Sequence, residues 1–309
     1  MARRGILSGL VAVMAAAALA ACGNGSLTPV PSAHTALAPA TRSAPAGGTP
    51  PSAIGASGTT SPAATVDHVV VVIFENKAYD SVMGHASVFG ALAAAGTTYT
   101  NSHGIAHPSQ PNYLALFSGS TQGVLSDSCP HTFHTANLGS QLIGSGLTFT
   151  GYAEALPYSG YDGCSAGRYA RKHAPWTDFA GLPTSTSQPY SAFPTDYSTL
   201  PSVSFVVPDL CDDMHDCSVS TGNAWLGAHM ADYATWARGH HSLLLITFDE
   251  DNGTSGNWIP TIAVGQGVPV GQVSAAVDQY SVLHTIENCF GLPPLGDATD
   301  ARPLPNVCA

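Results

Sequence analysis

Charged residues are scarce in this sequence. Only 9% of the 309 residues are charged, whereas a soluble domain usually has about 25%. Basic residues are the scarcer kind, since 9 of them stand against 20 acidic residues, for a formal net charge of −11. A nucleic-acid-binding protein needs a basic face to neutralise phosphates. The sequence therefore predicts no nucleic-acid partner.

Two further absences narrow the class of protein. No apolar run after residue 66 reaches the roughly 20 residues that a membrane-spanning helix needs. No Cys-x-x-Cys pair occurs, which argues against a zinc-thiolate site. The hydrophobic fraction of 44% is nevertheless too high for a disordered chain. The sequence thus predicts a folded globular region.

The first 22 residues are typical of an exported bacterial protein. Arg3 and Arg4 precede an apolar run over residues 6–21, which leads directly into Cys22. A charged start, an apolar run and small residues together describe a secretory signal. The ending Leu-Ala-Ala-Cys resembles a bacterial lipobox, which implies a signal peptide over residues 1–21 and lipidation of Cys22. We expect a lipoprotein on the extracytoplasmic face of the membrane, in membrane contact through Cys22, or else ordinary secretion.

A low-complexity segment separates this signal from the rest of the chain. Residues 22–65 consist mostly of Ser, Thr, Pro, Ala and Gly, with Arg42 as the one charged residue. As a flexible coil such a tether would span roughly 35–40 Å. Residues 66–309 are enough for one sizeable domain. The sequence therefore predicts a tethered catalytic domain over residues 66–309.

The cysteines agree with export. Seven are present, and assigning Cys22 to the lipobox leaves six. An even number in an exported chain predicts disulfides, and six cysteines allow fifteen pairings. Because Cys211 and Cys217 would close a short loop, we favour sequential pairing. The predicted bridges are Cys129–Cys164, Cys211–Cys217 and Cys289–Cys308.

Strands alternate with helices along the domain. The run HVVVVIF at residues 68–74 is typical of a strand buried on both faces. Further strands are predicted at residues 147–152, 202–207, 242–248 and 259–264. Helices are predicted at residues 82–94, 113–117, 138–143, 223–238 and 280–288, with Ser220 and Thr221 as possible N-caps of the fourth. This alternation predicts an α/β fold with a mainly parallel sheet.

Acidic and amide side chains follow three of these strands. Glu75 and Asn76 follow the first strand, a segment rich in aspartate follows residues 202–207, and Asp249 and Glu250 follow residues 242–248. Ligands bind beyond the carboxyl ends of such strands, and converging carboxylates repel unless a proton or cation neutralises them. The four named residues offer oxygen ligands, which suit a hard or borderline divalent metal. Solvated loop acids are the alternative.

A second polar segment precedes a helix. His107, Ser109 and Asn112 lie immediately before an apolar, predicted helical run. Backbone N–H groups and the positive end of the helix dipole favour an anionic substrate there. The alternative is that Ser109 serves only as a helix N-cap.

Several segments, in order along residues 68–290, resemble one known family. They are FENKAYD at residues 74–80, HPSQPNY at 107–113, YAE at 152–154, KHAP at 172–175, the segment 208–215, TFDE at 247–250 and IPT at 259–261. They resemble the phosphoesterase family of bacterial and fungal acid phosphatases and phospholipase C-type enzymes, in the alkaline-phosphatase-like superfamily. The resemblance implies a three-layer α/β sandwich around a mainly parallel sheet.

The resemblance also implies a reaction, the hydrolysis of phosphate esters through a phosphoserine intermediate. It implies Ser109 as the nucleophile and Asn112 as a donor to a phosphate oxygen. It implies one divalent metal ion, of unassigned identity, on Glu75, Asn76, Asp249 and Glu250. It implies active-site histidines at His215, His173 and His107. A metal near Ser109 would lower the hydroxyl pKa, and a histidine would protonate the leaving alkoxide.

Three functions are compatible with these residues. We expect an acid phosphatase-like phosphomonoesterase that acts on a small phosphate ester. The first alternative is a phospholipase C-type phosphodiesterase that acts on a phospholipid. The second is a surface-anchored binding lipoprotein without catalysis.

Overall fold

The computed structural model describes residues 66–253 and 256–308. The predicted signal peptide, the lipobox with Cys22 and the tether through residue 65 lie outside the described residues. Within the described residues, no helix combines the length and the apolar composition needed to cross a membrane.

The centre of the fold is an eight-stranded sheet. The ten strands are β1 His68–Phe74, β2 Thr97–Tyr99, β3 Phe149–Ala153, β4 Ser165–Ala166, β5 Tyr169–Ala170, β6 Ser187–Pro189, β7 Val203–Val207, β8 Ser242–Phe248, β9 Thr261–Gly265 and β10 Gly271–Val273. The sheet order is β10-β2-β9-β8-β1-β7-β3-β6, and β4 pairs with β5 in a separate hairpin. Only β9 runs antiparallel to its neighbours β8 and β2. The predicted mainly parallel α/β sheet is confirmed.

Six helices cover both faces of this sheet. They are α1 Tyr79–Met83, α2 Ser87–Ala95, α3 Ser109–Ser118, α4 Leu138–Gly144, α5 Val219–Ala237 and α6 Gln279–Cys289. Side chains of β1 alternate between the two faces. Val71 belongs to a core with residues of α3, α4 and α6, whereas Val72 belongs to a second core with residues of α2 and α5. The result is the expected three-layer sandwich.

Local predictions fail where the sequence pattern is short or interrupted. The strands β2, β6 and β10 were not predicted, because three residues are too few to show a period. The predicted helix over residues 82–94 is two helices, since the chain leaves helical geometry at residues 84–86. The N-cap of α5 is Ser218, which accepts from Thr221 N, and the predicted caps Ser220 and Thr221 lie within the helix.

The disulfide prediction is confirmed. Cys129 pairs with Cys164, Cys211 with Cys217 and Cys289 with Cys308.

The register of the central strands determines where the site forms. β1 pairs in parallel with both β7 and β8, so all three strands end at one edge of the sheet. The last pair in the β1–β8 register is Phe74 with Phe248. Glu75 and Asp249 therefore leave the sheet side by side.

Candidate active site

The segments after β1 and β8 are joined by hydrogen bonds. Asn76 N donates to Asp249 Oδ1 at 3.1 Å, and Asn76 Nδ2 donates to Glu250 Oε1 at 2.7 Å. Asn76 has a φ of +47°, in the left-handed region that asparagine tolerates better than most residues. This turn directs the Asn76 side chain across to the acidic residues after β8.

Ser109 is the first residue of α3, and its side chain faces the acidic residues. The N-cap of α3 is Pro108, so the alternative that Ser109 is only a helix cap is wrong. Ser109 Oγ lies 3.1 Å from Glu75 Oε2 and 3.1 Å from Glu250 Oε1. The residue is 1% exposed. A hydroxyl at a helix N-terminus thus contacts carboxylates from the segments that follow β1 and β8.

Asn112 lies one turn further along α3 and holds the preceding loop. Its Oδ1 accepts from the backbone N–H groups of Ile105 and Ala106, both at 2.9 Å. Its Nδ2 donates to Ala106 O at 2.8 Å and to Pro108 O at 3.3 Å. In this geometry the amide contacts backbone groups and positions the loop before Ser109, and the contact of Asn112 with phosphate stays a prediction.

His173 is buried between two acids. Its Nε2 lies 3.3 Å from Glu75 Oε2, and its Nδ1 lies 3.4 Å from Asp213 Oδ2. Burial, then the charges of Lys172 and His215, hold the pKa of His173 well below its usual range. A neutral imidazole can offer a lone pair to a cation or to a proton.

The other two predicted histidines lie nearer the surface. The His107 side chain is 46% exposed, and its Nδ1 contacts Glu250 Oε2. The His215 side chain is 32% exposed, and its Nδ1 lies 2.8 Å from Asp216 Oδ1. These two rings can exchange protons with a substrate that enters from solvent.

The buried acids of the site have raised pKa values. Burial, followed by the charges of Asp249 and Asp213, raises the pKa of Glu75 well above its usual value. Burial and then Glu250 raise the pKa of Asp249 to about 7, and burial raises that of Asp213 to about 8. Negative charge is therefore disfavoured at this cluster unless a cation accompanies it.

Within the described part of the chain, several buried polar atoms at the site form no hydrogen bond, although His173 Nε2 lies near Glu75. They are Asn76 Oδ1, Asp249 Oδ2, Asp213 Oδ2 and His173 Nε2. Buried polar atoms are normally paired, and oxygen and imidazole donors left over at one place suit a divalent cation. Glu75, His173 and His215 also offer ligand atoms that all lie within 4.8 Å of one another. The residues present fit a metal ion.

The structure adds residues that sequence reasoning did not place here. Tyr113 lies one turn after Ser109 on α3, and its hydroxyl donates to Glu75 Oε1. The four-residue spacing, which puts both side chains on one helix face, is the signal that could have found it. Lys172 pairs with Asp127 at 2.7 Å between Nζ and Oδ2, and no pattern in the sequence joins those two positions.

One spacing in the chain imitates a different catalytic motif. Residues 163–167 read Gly-x-Ser-x-Gly, the spacing of the nucleophile elbow between a strand and a helix. In the structure Cys164 is disulfide-bonded and Ser165 is exposed in the β4–β5 hairpin. Residues 163–167 therefore do not form a nucleophile elbow.

Comparison with known sequences identifies relatives. The profile of the Phosphoesterase family matches residues 85–293. A phosphatidylinositol-3-phosphatase of Mycobacterium tuberculosis is 46% identical over 248 residues, covering 79% of this chain and 83% of that protein. A probable acid phosphatase of Kluyveromyces lactis is 30% identical, covering 73% of this chain and 58% of that protein. A phosphate-repressible acid phosphatase of Penicillium chrysogenum is 28% identical and covers 66% and 54%. The chain spans little more than half the length of these two fungal relatives.

Solved structures agree on the fold. A protein of the alkaline phosphatase superfamily from Vibrio parahaemolyticus superposes with a TM-score of 0.52 at 13% identity, over 78% of this chain and 72% of that one. A lipoteichoic acid synthase from Listeria monocytogenes gives 0.51 at 11% identity, over 78% and 77%. Since the profile match covers most of the catalytic region, this chain belongs to the Phosphoesterase family and is a hydrolase of phosphoric esters.

Proposed function

We propose that this protein is a metal-dependent phosphomonoesterase that forms a phosphoserine at Ser109. The observation that carries the proposal is the position of Ser109 Oγ, which lies at the N-terminus of α3 and 3.1 Å from carboxylate oxygens of Glu75 and Glu250. The helix N-terminus attracts the anionic phosphate. The adjacent carboxylates can accept the hydroxyl proton when the nucleophile attacks.

The proposed metal site takes its ligands from the same strand ends. We assign it to Glu75, Asn76, Asp249 and Glu250, with His173 Nε2 as a further donor, because partnerless buried atoms on three of these residues face the cluster. A divalent metal bound there lowers the pKa of the serine hydroxyl and offsets charge on the transferring group.

The proposed reaction has two halves. In the first, the bond between Ser109 Oγ and phosphorus forms, the ester P–O bond breaks, and the hydroxyl proton passes to a carboxylate. The leaving alkoxide takes a proton, for which the exposed ring of His107 is available. Water then attacks phosphorus and gives a proton back to that ring, the P–Oγ bond breaks, and Ser109 regains its proton from the carboxylate as phosphate leaves. Asn112 acts by holding the loop that precedes Ser109.

The relatives favour a monoester over a diester. Three of them carry the names of phosphatases, among them the phosphatidylinositol-3-phosphatase. We therefore propose a phosphate monoester as the substrate, and the lipid named for that relative makes phosphorylated lipid headgroups a substrate class to assay. Parallel assays of the metal-loaded protein on an aryl phosphate and an aryl phosphorylcholine distinguish monoesterase from phospholipase C-type activity.

The decisive experiment removes the nucleophile. We expect Ser109→Ala to lower turnover of an aryl phosphate by at least about a thousandfold, because loss of a catalytic nucleophile typically costs that much or more. Addition of Mn²⁺ should still raise the melting temperature of this variant, since the carboxylates remain. Asp249→Asn should lose both the activity and the Mn²⁺-dependent rise.

A serine on the same helix supplies the control. Ser118 lies in the last turn of α3, where its hydroxyl donates to Leu114 O, and Ser118→Ala should keep turnover within a few-fold of wild type. Turnover retained in Ser109→Ala would refute the phosphoserine mechanism. A melting temperature insensitive to divalent ions in all variants would refute the metal site.

A further inference from the structure

Both lysines of the chain lie at the acidic cluster. The sequence contains only Lys77 and Lys172, and the charges of Glu75 and Asp249 act on each of them. Lys77 Nζ donates to Met214 O at 2.7 Å, so it holds the segment after β7. Lys172 has a different arrangement, because its partners are side chains at the opening of the site.

The Lys172 ammonium has a donor to spare. Nζ lies 2.7 Å from Asp127 Oδ2 and 3.4 Å from His215 Nε2. In the neutral tautomer that carries its proton on Nδ1, which faces Asp216 Oδ1 at 2.8 Å, His215 Nε2 accepts from Lys172. An ammonium has three N–H groups. Among the described residues the third has no partner, and the side chain is 18% exposed.

Asp127 connects this ammonium to the nucleophile. Its Oδ1 accepts from Gln110 N at 3.0 Å, and Gln110 directly follows Ser109. The same carboxylate therefore binds the first turn of α3 with one oxygen and Lys172 with the other. The ammonium is held beside the helix end at which a phosphate on Ser109 would lie.

We infer that Lys172 binds a non-bridging oxygen of the phosphate group in both the substrate and the product. The inference rests on the proposed function, because it assigns a phosphate contact at that site. An ammonium forms charge-assisted hydrogen bonds with phosphate oxygens as a point charge. From sequence alone, phosphate binding is expected from backbone N–H groups and Asn112, and Lys172 adds a positive charge that the sequence did not predict there.

The test measures phosphate binding as well as turnover. A hydrogen bond to a charged group is worth about 1.5–3 kcal/mol. We therefore expect Lys172→Met to raise KM for an aryl phosphate, and the inhibition constant of inorganic phosphate, by about ten- to a hundredfold. Lys172→Arg should recover part of the loss. Arg302→Met removes an equal charge at an exposed position and should change neither constant.

A second variant separates phosphate binding from a purely structural ion pair. Asp127→Asn keeps an oxygen for Gln110 N but removes the charge that holds Lys172. Because the ammonium remains, phosphate affinity in this variant should stay above that of Lys172→Met, whereas a structural ion pair would make the two variants equally weak. Equally weak phosphate binding in Asp127→Asn and Lys172→Met, or unchanged phosphate inhibition in Lys172→Met, would overturn the inference.

Calorimetry keeps this test independent of catalysis. Inorganic phosphate is titrated, with Mn²⁺ present, into Ser109→Ala and into Ser109→Ala/Lys172→Met. Weaker binding in the double variant supports the role of Lys172 even if the wild type hydrolyses no ester, an outcome that would refute only the proposed function. Equal binding in the two proteins would refute the phosphate contact of Lys172 and leave the proposed function untouched.

Discussion

Glu287 is a buried acid far along the chain from the proposed nucleophile. It lies in α6 and is fully buried. Its Oε1 accepts from Leu295 N at 2.9 Å, and its Oε2 has no hydrogen-bond partner among the described residues. Burial raises its pKa to about 8. The native state therefore holds a proton here at pH values where the unfolded chain has already released it.

This residue makes stability depend on pH. Between about pH 4.5 and 8 the native state binds more protons than the unfolded state, so the free energy of unfolding falls as pH rises. Glu287→Gln should flatten that slope and raise stability at pH 8 by up to a few kcal/mol, since one pH unit of pKa displacement corresponds to about 1.4 kcal/mol. Urea unfolding at pH 5 and pH 8 measures the effect. Asp300→Asn, at an exposed position near α6, is the control, and an equal slope in Glu287→Gln and wild type would contradict the prediction.

The ends of the helices show how far element prediction reaches. The apolar spacing in α5 places the helix correctly, yet it begins four residues before the predicted start, at Val219. Three neighbouring hydroxyl residues, Ser218, Ser220 and Thr221, can all cap a helix. Only the backbone path decides among them, and it selects Ser218.

Helix capping gives a prediction at this scale. Ser218→Ala removes the acceptor for Thr221 N and should lower the free energy of unfolding by about 1 kcal/mol. Ser220→Ala, inside the same first turn, should cost less than half of that. Thermal and urea unfolding of the two variants compare them directly, and equal losses would mean that Ser218 does not act as the cap.

Some parts of the candidate site could be predicted from the sequence, and others could not. Buried β-branched runs predict β1, β7 and β8, and parallel pairing then brings Glu75 and Asp249 to one edge. Ser109 could be predicted as a site residue because it lies in a polar segment before an apolar helix. The contact of Lys172 with Asp127 could not be predicted, because it joins two irregular segments 45 residues apart. The hydrogen bonds of Asn112 to the preceding loop could not be predicted either, because they depend on the path of that loop.

At the scale of the whole molecule, disulfides tie distant segments together. Cys129–Cys164 joins the segment that carries Asp127 to the segment that follows β3. Three such bridges suit an oxidising compartment and support export. Lipid anchoring at Cys22 stays a prediction, since that residue lies outside the described part of the chain.

Loop length predicts the order of the disulfide contributions. Cys129–Cys164 spans 35 residues and Cys211–Cys217 spans 6. The loss of chain entropy in the unfolded state then stabilises the fold by about 4 kcal/mol for the longer loop and about 2 kcal/mol for the shorter one. Replacing both cysteines of the longer bridge by serine should therefore lower stability more than the same change in the shorter bridge. Denaturant unfolding of the two double variants tests the order, and the reverse order would show that native-state strain or residual structure dominates.

The placement of both lysines has a consequence for chemical modification. Neither Lys77 nor Lys172 is classed as exposed, so the surface of the described domain presents no lysine ammonium to solvent away from the active site. Amine-directed acylation, cross-linking or immobilisation through side chains would thus react only near the acidic cluster, where both lysines lie. A succinimidyl ester would act on this enzyme as an active-site reagent, and bound phosphate should protect Lys172 from it.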